Sequence, residues 1–125
     1  MSSTTGKVSD NEHVYRSVSS INWFFDQNRP STSTFKNSNG VSVDVEHSRT
    51  KQECVNYLAL RFPDQVAVIR LSVVFCRNLL LDVVYAPEDG NPHHAHLLNE
   101  SGSYDIPKGK IKQLIQVGNL VFKPN

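Results

Sequence analysis

The amino-acid sequence predicts a single α+β domain built on a mixed, mainly antiparallel sheet. Three observations carry that expectation. The one long apolar run, Gln65 to Ala86, is dominated by β-branched and aromatic residues, which fit a pleated surface and lose rotamer freedom in a helix. Val41 to His47 alternates apolar and polar side chains, the period of a strand with one wet face. Residues 51–61 and 107–117 carry helical patterns with start and stop signals. Strands and helices in mixed order, without strict β-α alternation, argue for α+β.

The central run divides into two strands, about 66–73 and 79–86, around a turn at Val74 to Asn78. Read as an antiparallel hairpin centred on Cys76, it sets Arg70 directly opposite Asp82, where opposite charges stabilise a ladder. Those charges, with Arg77, also exclude a membrane span. Before this run, His13 to Val18 reads as a first strand. Ser19 or Ser20 then caps a helical turn whose aromatics, Trp23, Phe24 and Phe25, anchor one end of the core. Ser31 to Gly40 is loop-like, with a turn at Asn39-Gly40. In the alternating strand Val41, Val43 and Val45 face in, and Ser42, Asp44 and Glu46 face out.

Thr50 to Glu53 forms a capping box. The helix behind it buries Cys54, Val55, Leu58 and Phe62 and stops at Pro63. After Pro87 a polar loop leads to a strand over His93 to Asn99. Asp105 caps a last helix with Pro107 in its first turn. Gly118 ends that helix, and Leu120 to Phe122 adds a final strand.

The chain of 125 residues suits one domain with its own core. The formal net charge of +1 supplies no bulk attraction to nucleic acid, and the lysines at 108, 110, 112 and 123 read as a solvated face with no aromatic platform beside them. Residues 1–12 are polar and lack an apolar leader core, so they read as a loose tail before a domain over 13–125. The expected location is cytoplasmic, with no membrane partner. Cys54 and Cys76 read as buried thiols, and their spacing matches no zinc or redox motif.

Three groups could carry chemistry. His94 and His96 share one face of their strand and could hold a zinc ion, with Glu88, Asp89 or Asp82 completing the site; His93 adjoins them. Arg16 could clamp an anion. Ser31 to Thr34 is a hydroxyl-rich loop before Phe35, usually turn chemistry. No Gly-rich phosphate loop, nucleophile elbow or zinc-protease motif is present.

Arg16, the segment Phe35 to Val43 and Glu53 follow one another in an order that resembles the RES-type toxin domains and, more broadly, the ADP-ribosyltransferase-like fold. The resemblance covers roughly residues 14–60. It implies NAD as cofactor, bound through Arg16, Ser33 and Phe35, with Glu53 or a histidine such as His94 acting at the ribose. The first functional expectation is a small module that binds a partner protein or a small molecule, because no established catalytic motif is present. An NAD-consuming enzyme is the alternative, and a metal-dependent hydrolase or nuclease on His93–His96 is the second.

Overall fold

A computed structural model describes residues 6–124. Its strands are β1 (His13–Ser19), β2 (Trp23–Phe24), β3 (Arg29–Pro30), β4 (Val41–Val45), β5 (Gln65–Ser72), β6 (Leu81–Tyr85), β7 (His94–Asn99) and β8 (Asn119–Phe122). The helices are α1 (Lys51–Arg61), α2 (Val73–Asn78) and α3 (Lys108–Val117), with 3-10 turns at Ser20–Asn22 and Thr32–Phe35. Six strands form one sheet in the order β6-β7-β4-β1-β5-β8, and β2 and β3 pair separately. Every neighbouring pair is antiparallel. The α+β, mainly antiparallel class expected from the sequence is the class observed.

The central hairpin is not. β5 pairs with β1 and β8, whereas β6 pairs with β7, so three strands separate the two halves of the apolar run. Val73–Asn78, read as a strand end and turn, is the helix α2. Ser72 starts it, its side chain accepting from the Phe75 N–H at 3.1 Å. Val73 and Cys76, three residues apart, bury one side of it in the core. Tertiary burial overrides the strand preference of Val73, Val74 and Phe75. Arg70 and Asp82 therefore never meet. Asp82 accepts from Lys7 at 2.9 Å and from Arg77 at 3.1 Å, and Arg70 pairs with Glu46 at 3.0 Å.

The sheet is curled. Val8 donates its N–H to Val83 O at 2.9 Å on the outer edge of β6, and β1 begins at His13. Across a flat sheet that step would be four strand spacings, roughly 19 Å, whereas five extended residues reach at most about 18 Å. Curling brings the two ends of the strand order toward each other and encloses the main core. Val14 and Val18 of β1, Val41, Val43 and Val45 of β4, Ala67, Ile69 and Leu71 of β5, and Ala95 and Leu97 of β7 point into it, closed over by Phe35, Ile111 and Leu114. Val8 belongs to this core at 1% exposure. The expected loose tail is thus corrected over residues 7–8, and residues 1–5 lie outside the described residues.

One helix covers part of the convex face. α1 packs Cys54, Val55 and Leu58 on Tyr15 and Val68; Phe62, expected in the same stripe, is partly exposed. Both bonds of the Thr50–Glu53 capping box are made, at 2.9 and 3.1 Å. Of the three aromatics expected to anchor the core, only Trp23 is buried; Phe25, in the turn between β2 and β3, is 61% exposed. α3 starts at Pro107 with no side-chain cap, so Asp105 does not cap it. Gly118 ends it with φ −57°. Glycine is needed there for space, since a Cβ would lie 2.5 Å from Leu114 O and 2.6 Å from Ile69 Cγ2.

Beside α1, the end of β4 is tied to β1 and β5 by one carboxylate. Tyr15 donates its hydroxyl to Glu46, and Arg70 donates to the same oxygen at 3.0 and 3.1 Å. Burial alone would raise the Glu46 pKa, but the bonds from Tyr15 and Arg70 outweigh it and hold it below the ordinary carboxylate value. A pKa lower in the folded than in the unfolded chain gives stability that is present above the unfolded value and lost as pH falls through the folded one. Urea unfolding between about pH 7 and pH 3 should therefore show a loss on the acid side that is smaller in Glu46→Gln. Identical acid-side slopes in the two proteins would show that Glu46 makes no such contribution.

Candidate functional site

β1 and β4 begin as a regular pair and then part. Their register holds only for Val14 with Val45 and Tyr15 with Asp44, while β1 stays paired with β5 along its length. Arg16 lies where the ladder opens. Its Nε donates to Thr34 O at 2.9 Å and its Nη1 to Ser42 O at 2.8 Å, replacing the missing main-chain bonds with a guanidinium strut. Desolvation lowers its pKa to about 10, which leaves it a cation at neutral pH. Among the described residues it has no carboxylate partner.

The parting opens a polar cleft of about 390 Å³ on the convex face. Tyr15, Arg16 and Ser17 of β1 and Ser42 and Asp44 of β4 line its floor, Leu58, Arg61 and Phe62 form the α1 wall, and Glu88 and His94 stand opposite. A loop closes that side. Glu88 and Asn91 exchange main-chain bonds at 3.1 and 2.9 Å. Tyr57 donates its hydroxyl to Gly90 O at 3.1 Å, and Arg61 pairs with Glu88 at 2.9 Å. Arg49 and Arg61 stand over the Tyr57 ring, 5.7 and 6.0 Å from its centroid.

The most constrained group in the cleft is Asp44, 2% exposed. Its Oδ1 accepts from Asn91 Nδ2 at 3.0 Å. Its Oδ2 is buried and has no hydrogen-bond donor among the described residues; Arg49 Nη2 is 3.8 Å away and donates instead to Val45 O at 2.6 Å. Asp44 lies directly across from His94. The sequence pattern placed Asp44 on the wet face of β4, and it does share a face with Ser42 and Glu46. Its burial comes from α1 and the 88–91 loop, long-range partners that alternation alone does not reveal.

The residues singled out from the sequence do not converge. Arg16 and His94 line the cleft. Glu53 is exposed and makes both capping bonds, and those bonds from Thr50 hold its pKa below the ordinary carboxylate value. Phe35 is fully buried in the main core, and Ser33 is exposed in its 3-10 turn. His94 and His96 share the convex face as expected, with ring centroids 5.1 Å apart. Burial first, and then the neighbouring His94, lower the His96 pKa. Among the described residues, no three His, Cys, Asp or Glu side chains are grouped to hold a metal ion. Cys54 and Cys76 are both free and buried, and burial raises the pKa of each. No described helix is long and apolar enough to cross a membrane.

Comparison with protein families, with curated proteins and with solved structures found no match. The functional argument therefore rests on the cleft itself.

If Arg16 is the strut between the parted strands, Arg16→Met should destabilise the fold by roughly 2–3 kcal/mol in urea unfolding, since it strips two carbonyls of a charged donor. A value within about 0.5 kcal/mol of the wild type, the usual range for a neutral surface change, would show that the strut is not structural.

Proposed function

We propose that the chain is a small-molecule-binding domain whose ligand occupies the cleft between α1 and the parted strands. The observation that carries this reading is the cleft itself, about 390 Å³ opened where β1 and β4 part, with Arg16, Asp44, Glu88 and His94 in its lining. Space of that size falls in the range of small-molecule sites, about 300–1,000 Å³. The lining is mostly polar, with Leu58 and Phe62 as apolar contacts, and so suits a polar ligand.

The test is a screen of polar fragments by ligand-observed NMR, repeated on Ser42→Tyr, which fills the floor. Fragments should bind the wild type, perturb amides of residues 15–17, 42–44 and 88–94, and lose most of their binding in the variant. Fragments that bind only elsewhere, or no binding at all, would overturn the reading.

NAD consumption is the second reading, favoured by one observation: Arg16 borders the same cleft as His94 and, among the described residues, carries no carboxylate partner. In that reading Arg16 holds the pyrophosphate and His94 acts at the ribose, because Glu53 is engaged in its capping box. Incubation with NAD should then release nicotinamide, His94→Ala should abolish the release, and Glu53→Gln should behave like the wild type. Absence of turnover, or turnover undiminished in His94→Ala, would remove it.

A further inference from the structure

The geometry points to a single carboxylate as the ligand group that Arg16 receives in this cleft; this rests on the cleft being a ligand site. A guanidinium carries five N–H donors and no acceptor. Arg16 uses one on Thr34 O through Nε and one on Ser42 O through Nη1. Its Nη2 donates to no acceptor among the described residues, yet it is not one of the unpartnered atoms shut off from solvent. Arg16 is half-buried and lines the cleft, so Nη2 meets solvent there. The two carbonyl bonds hold the plane of the group fixed. What remains is its outer end: both N–H groups of Nη2 and the second of Nη1. Such a fork grips the two oxygens of one carboxylate.

Neutral donors stand in the same lining. Ser42 lines the cleft beside Arg16, and its hydroxyl can donate to an anion. Asn37 Oδ1 accepts from Asn39 N at 2.9 Å. A main-chain N–H only donates, so the amide oxygen is engaged there and Asn37 Nδ2 is the end left for a ligand. The charges then set how much negative charge fits. Arg61 pairs with Glu88 at 2.9 Å, and Arg49 stands 3.8 Å from Asp44, so both of these carboxylates have a cation. Asp64 is exposed, where water and salt screen it. Among the described residues of the lining, Arg16 is the cation without a carboxylate, and it balances one negative charge. A pyrophosphate would bring further charge toward Asp44, Asp64 and Glu88 with no second cation to meet it, and like charges brought together are costly. An ammonium would face the Arg16 cation itself.

The experiment titrates the wild type at neutral pH with four probes: butyrate, butyramide, n-butylammonium and inorganic pyrophosphate. It follows the amides of residues 16–17, 37 and 42–44 and the side-chain Nε–H signal of Arg16. Butyrate should bind about tenfold more tightly than each of the others, as charge-assisted bonds require, and should move the Arg16 signal. Its affinity should fall about threefold in Ser42→Ala, and Arg16→Met should erase its advantage over butyramide. Should Arg16→Met fail to fold, Ser42→Ala and the Arg16 signal in the wild type decide the matter. Equal binding of butyramide or butylammonium, or pyrophosphate binding as tight as butyrate, overturns the carboxylate assignment while the cleft keeps its fragments. Butyrate binding that leaves the Arg16 signal in place and is unchanged in Ser42→Ala overturns it too. If fragments perturb the cleft and butyrate does not, the assignment again fails alone. If neither fragments nor probes perturb it, both readings fall.

Discussion

The parting of β1 from β4 is the constraint on which the rest of the convex face depends. β1 is the strand the whole sheet is built around, paired along its length with β5 on one side but through only two residues with β4 on the other. Two strands that separate inside a sheet leave main-chain groups without partners, and buried main-chain groups are nearly always bonded. Arg16 meets that requirement by reaching Thr34 O and Ser42 O at once. A guanidinium offers several donors in a fixed plane, so one side chain serves both carbonyls. Because the strut holds the strands apart, the space outside them stays open as the cleft.

The walls of that opening come from distant parts of the chain and are tied to one another. Tyr57 and Arg61 of α1 grip the 88–91 loop through Gly90 O and Glu88. Within the loop, fully buried Asn91 accepts from His93 N at 3.1 Å and donates to Asp44. The loop thus orients the carboxylate at the floor while the helix orients the loop. A site whose side chains are already held in place loses little conformational freedom when a ligand arrives.

Local signals in the sequence were legible, and long-range ones were not. Thr50 and Glu53 announce a helix start because both bonds of a capping box lie within four residues, and α1 runs over Lys51–Arg61 as expected. The alternation at Val41–Val45 is likewise a local period, and the three valines do face the core. The apolar run from Gln65 misled for the converse reason. Arg70 and Asp82 sit at hairpin spacing, yet each has better partners far away, Glu46 for one and Lys7 and Arg77 for the other. A six-residue helix held by burial of Val73 and Cys76 leaves no propensity signal. Asp44 shows the same limit at the site: its place on the strand could be read, but the helix and loop that bury it could not.

Three buried side-chain atoms among the described residues lack a hydrogen-bond partner: Trp23 Nε1, Thr34 Oγ1 and Asp44 Oδ2. They are not equivalent. The indole and the hydroxyl are neutral, and neither residue lines the cleft. Leaving such a group unbonded is a modest local cost that a large core can offset. A carboxylate oxygen is costlier, because burial acts against charge far more strongly than against a neutral dipole. Asp44 nevertheless has structural partners: buried Asn91 donates to its Oδ1 at 3.0 Å, and Arg49 stands 3.8 Å from its Oδ2. The acid ties β4 to the 88–91 loop, and the nearby cation offsets part of the cost of burying it. A neutral threonine or valine at this position would leave Asn91 Nδ2 without its acceptor, so the carboxylate is part of what holds the wall of the cleft in place.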